Sequence, residues 1–231
     1  MSRNLISETR REQKRYDDKA RWYDFAEWPM EALAFGRLRP RLWRAVTGAW
    51  VLEVGVGTGR NLPHYPQGAR MVAVDLSPAM LRRAARKAAR RGQHVDFLLA
   101  DAERLPFRDA AFDTVVATCV FCSVPDPVGG LREVLRVSSP EGRLLLLEHV
   151  RAGNRVLGKI MDWLNPLAVR MGGENINRDT VGNVKAAGFA IEREESFGMK
   201  IFKLLNARPN APQGSPAGRP DKGGNHVVAR A

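Results

Sequence analysis

Residues 51–60, VLEVGVGTGR, constrain the fold of this chain more than any other stretch. A short apolar, β-branched run leads into Gly55, Gly57 and Gly59, which alternate with other residues. That is a strand feeding a tight turn whose backbone bends freely and places no Cβ between itself and a ligand. Further strand-like runs follow. RMVAVD (70–75) ends in Asp75, and VDFLLA (95–100) is followed by Asp101. Between them, Ser77 and Pro78 supply an N-cap and a first-turn proline for a helix that stops at Gly92. FDTVVAT (112–118) reads as a fourth strand and PVGGLREVLRV (127–137) as a helix. GRLLLLEHV (142–150) is a fifth strand, apolar through its middle as one covered on both faces must be. A less regular segment with Trp163, Pro166 and Gly172-Gly173 comes next. Then follow a helix at about 178–187, ended by Gly188, and strand-like runs near 189–197 and 200–206.

Strands alternating with helices predict an α/β, doubly wound, Rossmann-like sheet with right-handed parallel crossovers. Ligands of such sheets bind beyond the carboxyl ends of the strands, at the topological switch point. The glycine loop, Asp75 and Asp101 all fall at such ends. No Gly-Lys-Ser/Thr follows the glycines, which excludes a P-loop. A dinucleotide fingerprint reads G-x-G-x-x-G, whereas this loop reads G-x-G-x-G. Glu53 inside the strand is an awkward neighbour for a pyrophosphate and a comfortable one for an ammonium group. Asp75, about 20 residues past the first glycine, suits the ribose hydroxyls of NAD and S-adenosylmethionine alike. Asp101, in ADAERLPF, is placed to accept from the exocyclic amine of adenine. Taken in order, these signals read as the cofactor site of a class I methyltransferase that uses S-adenosylmethionine and releases S-adenosylhomocysteine.

A chain of 231 residues holds one domain with extensions. Residues 1–45 read as two or three short amphipathic helices, too broken by Pro29, Gly36 and Pro40 for one long helix. Residues 46–206 are the main domain, and the Pro-, Gly- and Asn-rich stretch 207–231 is expected to be disordered. No apolar run approaches the ~18 residues of a membrane span. The first residues lack the apolar core of a signal peptide, so a cytoplasmic location is expected, free or peripheral on the inner face of the cell membrane. Cys119 and Cys122 form a lone CxxC with too few companions for zinc, and they read as two buried or half-buried thiols; no metal is expected. The net charge of +12 implies attraction to an anionic partner. Arg37–Arg44, RLRPRLWR, interleaves arginine with Leu and Trp as interfacial segments do, and is expected to meet an anionic membrane surface. The cluster RRAARKAARR (82–91) falls on the solvated face of its helix.

The segments LEVGVGTGRNLPHYP, VAVDLSPAML, DAERLPF, FDTVVATCVFCSVPDP, LREVLRV and GRLLLLEHV closely resemble the small methyltransferases related to the ubiquinone/menaquinone C-methyltransferases. Within that group, bacterial phosphatidylethanolamine N-methyltransferases and the thiol methyltransferases of animal membranes look nearest. The resemblance runs from about Tyr16 to Pro209; SSPEGR (138–143) departs from the family's Lys-Pro-Gly-Gly turn. It implies a seven-stranded, mostly parallel sheet beneath an N-terminal helical cap. It implies that Gly55, Gly57 and Gly59 line the methionine part, with Glu53 and Arg60 flanking them. Asp75 would take the ribose and Leu76 the adenine face. Asp101 and Ala102 would take the adenine edge, and Cys119 would touch the methionine through its backbone. Tyr16 and Tyr23, in YDDKARWYD, resemble tyrosines that close over the cofactor, and Tyr16 is also set beside the reacting groups. His149, ending the fifth strand, is the first choice for a group that positions the acceptor or takes its proton. Asn175, Asn177 and Arg178 could contact a headgroup or serve as turn and capping residues.

Direct displacement at a methyl group needs alignment and a water-poor site, not a covalent intermediate, which accounts for the lack of a recognisable triad. The acceptor is read as a lipid or small lipophilic molecule. The amine of phosphatidylethanolamine comes first, with a quinone carbon or a small thiol as alternatives. Nucleic acid is disfavoured because ATCVFCSV stands where exocyclic-amine nucleobase enzymes carry an Asn/Asp-Pro-Pro-aromatic motif. The alternative from a different class is a cofactor-binding protein without turnover. A monomer is expected.

Overall fold

The computed structural model describes residues 3–26, 28, 31, 35–171 and 175–210. Its sheet is built from β1 (Trp50–Val54), β2 (Arg70–Asp75), β3 (Val95–Leu99), β4 (Phe112–Thr118), β5 (Ser138–His149), β6 (Phe189–Phe197) and β7 (Phe202–Pro209). The spatial order is β3-β2-β1-β4-β5-β7-β6. Strands β1 to β5 pair in parallel, and β7 runs antiparallel between β5 and β6. The switch point therefore lies where β1 meets β4, with β2 and β3 on one side and β5 on the other. The described helices are α1 (Arg3–Lys19), α2 (Tyr23–Ala26), α3 (Gly36–Trp43), α4 (Pro78–Arg90), α5 (Pro127–Val137), α6 (Arg155–Met171) and α7 (Thr180–Ala186).

Local chemistry sets these boundaries. Ser77 caps α4 by accepting from Met80 N, with Pro78 in the first turn. Asp126 and Asp179 cap α5 and α7 in the same way, accepting from Gly129 N and Gly182 N. Leu144–Leu147 of β5 are all buried, as a strand covered on both faces requires. One core cluster gathers Leu52, Val115, Leu131, Val134, Leu144 and Leu146 between the sheet and α5.

The structure departs from the sequence reading in four places. The first cap helix runs 17 residues, longer than expected, and Pro40, read as a breaker, lies inside α3, which starts at Gly36. The segment around Trp163 is also a 17-residue helix, α6, with Pro166 inside it. Pro166 forfeits one backbone hydrogen bond, but Val156, Ile160, Trp163, Leu164 and Leu167 keep helical spacing across it. The pair Gly172-Gly173 lies outside the described residues. Strand β7 continues to Pro209, and Asn210 N donates to Gly188 O at 2.9 Å, so residues 207–209 of the expected disordered stretch are strand. Residues 211–231 lie outside the described residues.

The fourth departure concerns Arg37–Arg44. In α3, Leu38, Leu42 and Trp43 are buried against Val51, Leu145, Phe202 and Leu204, and Arg39 is buried with them. Trp43 packs on Tyr65 with ring centroids 4.7 Å apart. These apolar side chains line the domain core, so they are not available to a bilayer. An i, i+4 apolar pair between arginines marks an inward helix face as readily as a lipid-facing one.

Candidate active site

Strand β1 delivers the glycine loop to the switch point. Gly55 N and Val56 N both donate to Val74 O, at 2.8 and 3.0 Å, so the chain turns over β2 as it leaves the sheet. Gly55 sits at φ +70°, and a Cβ there would lie 2.4 Å from Val120 Cγ2. At Gly59, φ +80°, a Cβ would lie 3.1 Å from Ala84 Cα. Gly59 therefore seats the loop on α4 and is not on the cavity wall, unlike Gly55 and Gly57.

Above the strand ends is a cavity walled by Gly55, Gly57, Asp75, Leu76, Asp101, Ala102, Thr118 and Cys119. The cap helices contribute Thr9, Glu12, Tyr16 and Tyr23 to the same cavity. Asp75 Oδ2 accepts from Gly57 N at 2.7 Å and Oδ1 from Ser77 N at 2.9 Å. Burial raises its pKa, partly offset by those amides. Asp101 Oδ1 accepts from Glu103 N at 2.9 Å and orders the turn after β3. Cys119 adopts φ +52°, its N–H donating to Leu147 O at 2.8 Å. The next two amides, Val120 N and Phe121 N, donate to Oε1 of the fully buried Glu148 at 3.0 and 3.1 Å. The Cys119 backbone is thus held at the cavity wall by β5.

Helix α1 is fastened across the turn that follows β2. Gln13 Nε2 donates to Leu76 O at 3.1 Å, and Asp17 Oδ1 accepts from Ser77 Oγ at 2.5 Å and Ala79 N at 3.0 Å. Tyr16 and Tyr23 meet edge to face with centroids 6.4 Å apart. Glu12, paired with Arg15, has its pKa raised by burial. Thr9, Glu12 and Tyr16 are spaced i, i+3, i+7, a legible signal once α1 is one helix.

A second cavity shares Tyr23, Thr118 and Cys119 with the first and continues to Glu31, Phe35, Arg39, Arg60, Cys122, His149, Asn175 and Ile176. His149 packs edge-on against Phe202, centroids 5.4 Å apart. Burial lowers its pKa, with the Ile176 backbone opposing, so the ring is neutral at neutral pH. Its buried Nδ1 has no hydrogen-bond partner among the described residues. Asn175 is tied to Cys122 O through its backbone N at 2.9 Å and Nδ2 at 3.2 Å. Asn177 instead donates to Asp162, and Arg178 to Val124 O; neither lines this cavity.

A polar chain, buried at Glu53, Asn61 and Arg39 and half-buried beyond them, runs along the second cavity. Asn61 Nδ2 donates to Glu53 Oε1 at 2.6 Å, and Asn61 Oδ1 accepts from Arg39 at 2.8 Å. Arg39 pairs with Glu31 at 2.9 Å, Glu31 with Arg60 at 3.1 Å, and Arg60 with Asp24 at 3.2 Å. Asp24 also accepts from Thr58 Oγ1 at 2.6 Å and Lys87 Nζ at 2.9 Å, joining α2 to the glycine loop and α4. Burial pushes the Asp24 carboxyl up, but the hydrogen bonds from Lys87 and Thr58 leave it net lowered. Glu53 lines neither cavity. It is fully buried, its second oxygen accepts from the Tyr65 hydroxyl, and burial pushes its pKa up to about 7. Its place is beneath the loop, which it orders through Asn61. The sequence reading missed Asn61, Asp24, Thr58 and Glu31, because their partners are distant in the chain.

Fold and site together define a class of protein: a doubly wound domain with a cavity at the switch point, lined by the glycine loop and the strand-end acids, beside a second cavity. Comparison with known proteins agrees. Residues 52–146 match the family described as "Methyltransferase domain". The thiol S-methyltransferase TMT1B of Rattus norvegicus is 33% identical over 167 residues, covering 69% of this chain and 67% of that protein. A phosphatidylethanolamine N-methyltransferase of Cereibacter sphaeroides is 35% identical over 54% of this chain and 66% of its own length. A demethylmenaquinone methyltransferase of Renibacterium salmoninarum is 36% identical over 58% and 56%. Against several demethylmenaquinone methyltransferases, the chain spans about half of the relative's length. A solved SAM-dependent methyltransferase from Methanosarcina mazei superposes with a TM-score of 0.60 at 21% identity, over 74% of this chain and 97% of that one.

The chain belongs to the S-adenosylmethionine-dependent methyltransferases. S-adenosylmethionine is the cofactor this family and fold imply, and the residues present fit it. Asp75 and Asp101 offer acceptor oxygens for hydroxyl and amine donors, Leu76 and Ala102 offer apolar surface, and a Cβ at Gly57 would meet only open space.

Proposed function

We propose that this protein transfers the methyl group of S-adenosylmethionine to a lipophilic acceptor, best read as the amine of phosphatidylethanolamine. When bound, the cofactor supplies an electrophilic methyl group on a positively charged sulfur. The observation that carries the reading is His149: neutral, on the wall of the second cavity, with a buried Nδ1 that lacks a partner among the described residues. An imidazole on that wall accepts the proton that an ammonium must lose before its lone pair can attack. Tyr16 and Tyr23 turn aromatic surface toward the first cavity, favourable beside a cationic sulfur. Phe35 and Ile176 give the second cavity apolar wall, while Arg39 and Arg60 there are paired with Glu31 and Asp24. Asp75 and Asp101 would hold the adenosine part, and the cap fastened by Asp17 and Asp24 would exclude water.

A quinone carbon is the second reading, favoured by the similarity to demethylmenaquinone methyltransferases. The same His149 would then take a phenolic proton. A screen with methyl-labelled S-adenosylmethionine against detergent-dispersed phosphatidylethanolamine, demethylmenaquinol and a small aryl thiol separates these. Labelled phosphatidylethanolamine is expected; label only in the quinol or the thiol would replace the first reading.

A further inference from the structure

Helix α6 carries an apolar face that the domain does not cover. Val156, Ile160, Trp163, Leu164 and Leu167 are all exposed, Trp163 by 80%. At 100° per residue these five fall within about 100° of arc, a single stripe along the helix. The opposite side holds Gly158 and Met161, both buried, and the half-buried Asn165. Arg170 and Lys159, both exposed, border one edge of the stripe, with Arg155 beyond them. The helix has one acidic residue, Asp162, exposed on the side away from the stripe, and Arg151 neutralises it with an ion pair of 2.7 Å. Beyond the helix start, exposed Met199 and Lys200 extend the same chemistry beside Val156 and Ile160.

We propose that α6 is the surface by which this protein docks on an anionic phospholipid bilayer. An exposed apolar stripe with a tryptophan, bordered by cations and free of unpaired acid, matches an interface that is apolar below and negatively charged above. The charge argues for lipid over a second copy of the chain, since two such faces would bring their cations together in a symmetric pair. The helix is also tied to the second cavity. Asn165 accepts from Ile176 N at 2.9 Å and donates to Asn175 Oδ1 at 3.2 Å, and both Asn175 and Ile176 line that cavity. A bilayer on the outer face of α6 therefore lies one helix away from the acceptor wall. Trp22 and Phe25, close in the chain to the cavity residue Tyr23, are exposed as well.

The docking claim is independent of which acceptor is methylated, and its test keeps the two apart. Sedimentation of the full chain with phosphatidylcholine vesicles containing phosphatidylglycerol should show binding that falls about tenfold in Ile160→Ser/Trp163→Ser/Leu167→Ser. The three side chains are exposed, so the variant should keep its melting temperature and its affinity for S-adenosylmethionine. It should also keep activity on a detergent-dispersed acceptor while losing it on vesicles. Lys159→Glu/Arg170→Glu should lose binding to anionic vesicles in the same direction. Unchanged vesicle binding of the triple variant would overturn the proposal. So would a dimer of the parent protein that the triple variant dissociates. Vesicle binding that persists with no lipid acceptor methylated would overturn the acceptor reading instead and leave the docking face standing.

Discussion

The cavity proposed for the cofactor and the one proposed for the acceptor share Tyr23, Thr118 and Cys119, yet they are built by different means. The first is a product of backbone geometry. Its key contacts are amides and carboxylates at adjacent strand ends, such as Gly57 N to Asp75 and Ser77 N to Asp75. The second is assembled from side chains far apart in sequence. Glu31, Arg39, Arg60, His149 and Asn175 meet only because the cap, the glycine loop, β5 and the chain after α6 converge. Backbone geometry is set by a few obligatory residue types, whereas side-chain convergence tolerates exchange. This difference fits a family that shares a methyl donor while its members are named for quinone, phospholipid and thiol acceptors.

The sharpest way to break this contrast is Gly55→Ala. The new Cβ would press on Val120 at a left-handed φ, and affinity for S-adenosylmethionine in calorimetry should drop at least about 100-fold. Retained binding would mean that the loop is not held by backbone constraint. On the acceptor side, His149→Gln should lower kcat about 100-fold and leave cofactor affinity intact. Because burial lowers the His149 pKa, the ring stays unprotonated through neutral pH, and kcat/KM of the parent should fall only below the usual imidazole range near about 6.5. The Gln variant should lack that acidic limb in its pH profile.

Away from both cavity walls, Glu53→Gln probes the support of the glycine loop. The folded-state pKa of Glu53 is raised from 4.5 to about 7, so its protonated form favours folding. That contribution is fully present below 4.5 and is lost as pH rises to about 7. The amide mimics the protonated acid, so urea unfolding at pH 8 should find the variant more stable by about 3 kcal/mol, with little difference near pH 4.5. The smallest expected effect is at the cap. Asp24→Ala leaves Thr58, Arg60 and Lys87 without their shared carboxylate, and cofactor release in stopped-flow should quicken about tenfold. Faster proteolysis between α1 and α2 should accompany it.

Most of the cofactor half was legible because its signals are local. Glycine spacing, Ser77-Pro78 and an acid closing each strand follow from steric and capping rules that act within a few residues. Asp75, Leu76, Asp101 and Ala102 accordingly line one cavity. Glu53 shows where that logic ends: its position in β1 was correct, but its partners Asn61 and Tyr65 are set by how the loop returns over the strand. Gly59 likewise belongs to the loop, yet its neighbour is a helix twenty-five residues away.

By itself the sequence determined the sheet, its switch point and the class of cofactor, because strand period, turn chemistry and capping are properties of short segments. Tertiary structure alone decided which apolar faces are used. Leu38, Leu42 and Trp43, interleaved with arginine, are drawn into the core, while the helix around Trp163 is left bare. Both segments carry helical apolar spacing and flanking cations, and periodicity says that a face seeks cover without saying what covers it. That depends on the surface each helix meets when the sheet closes.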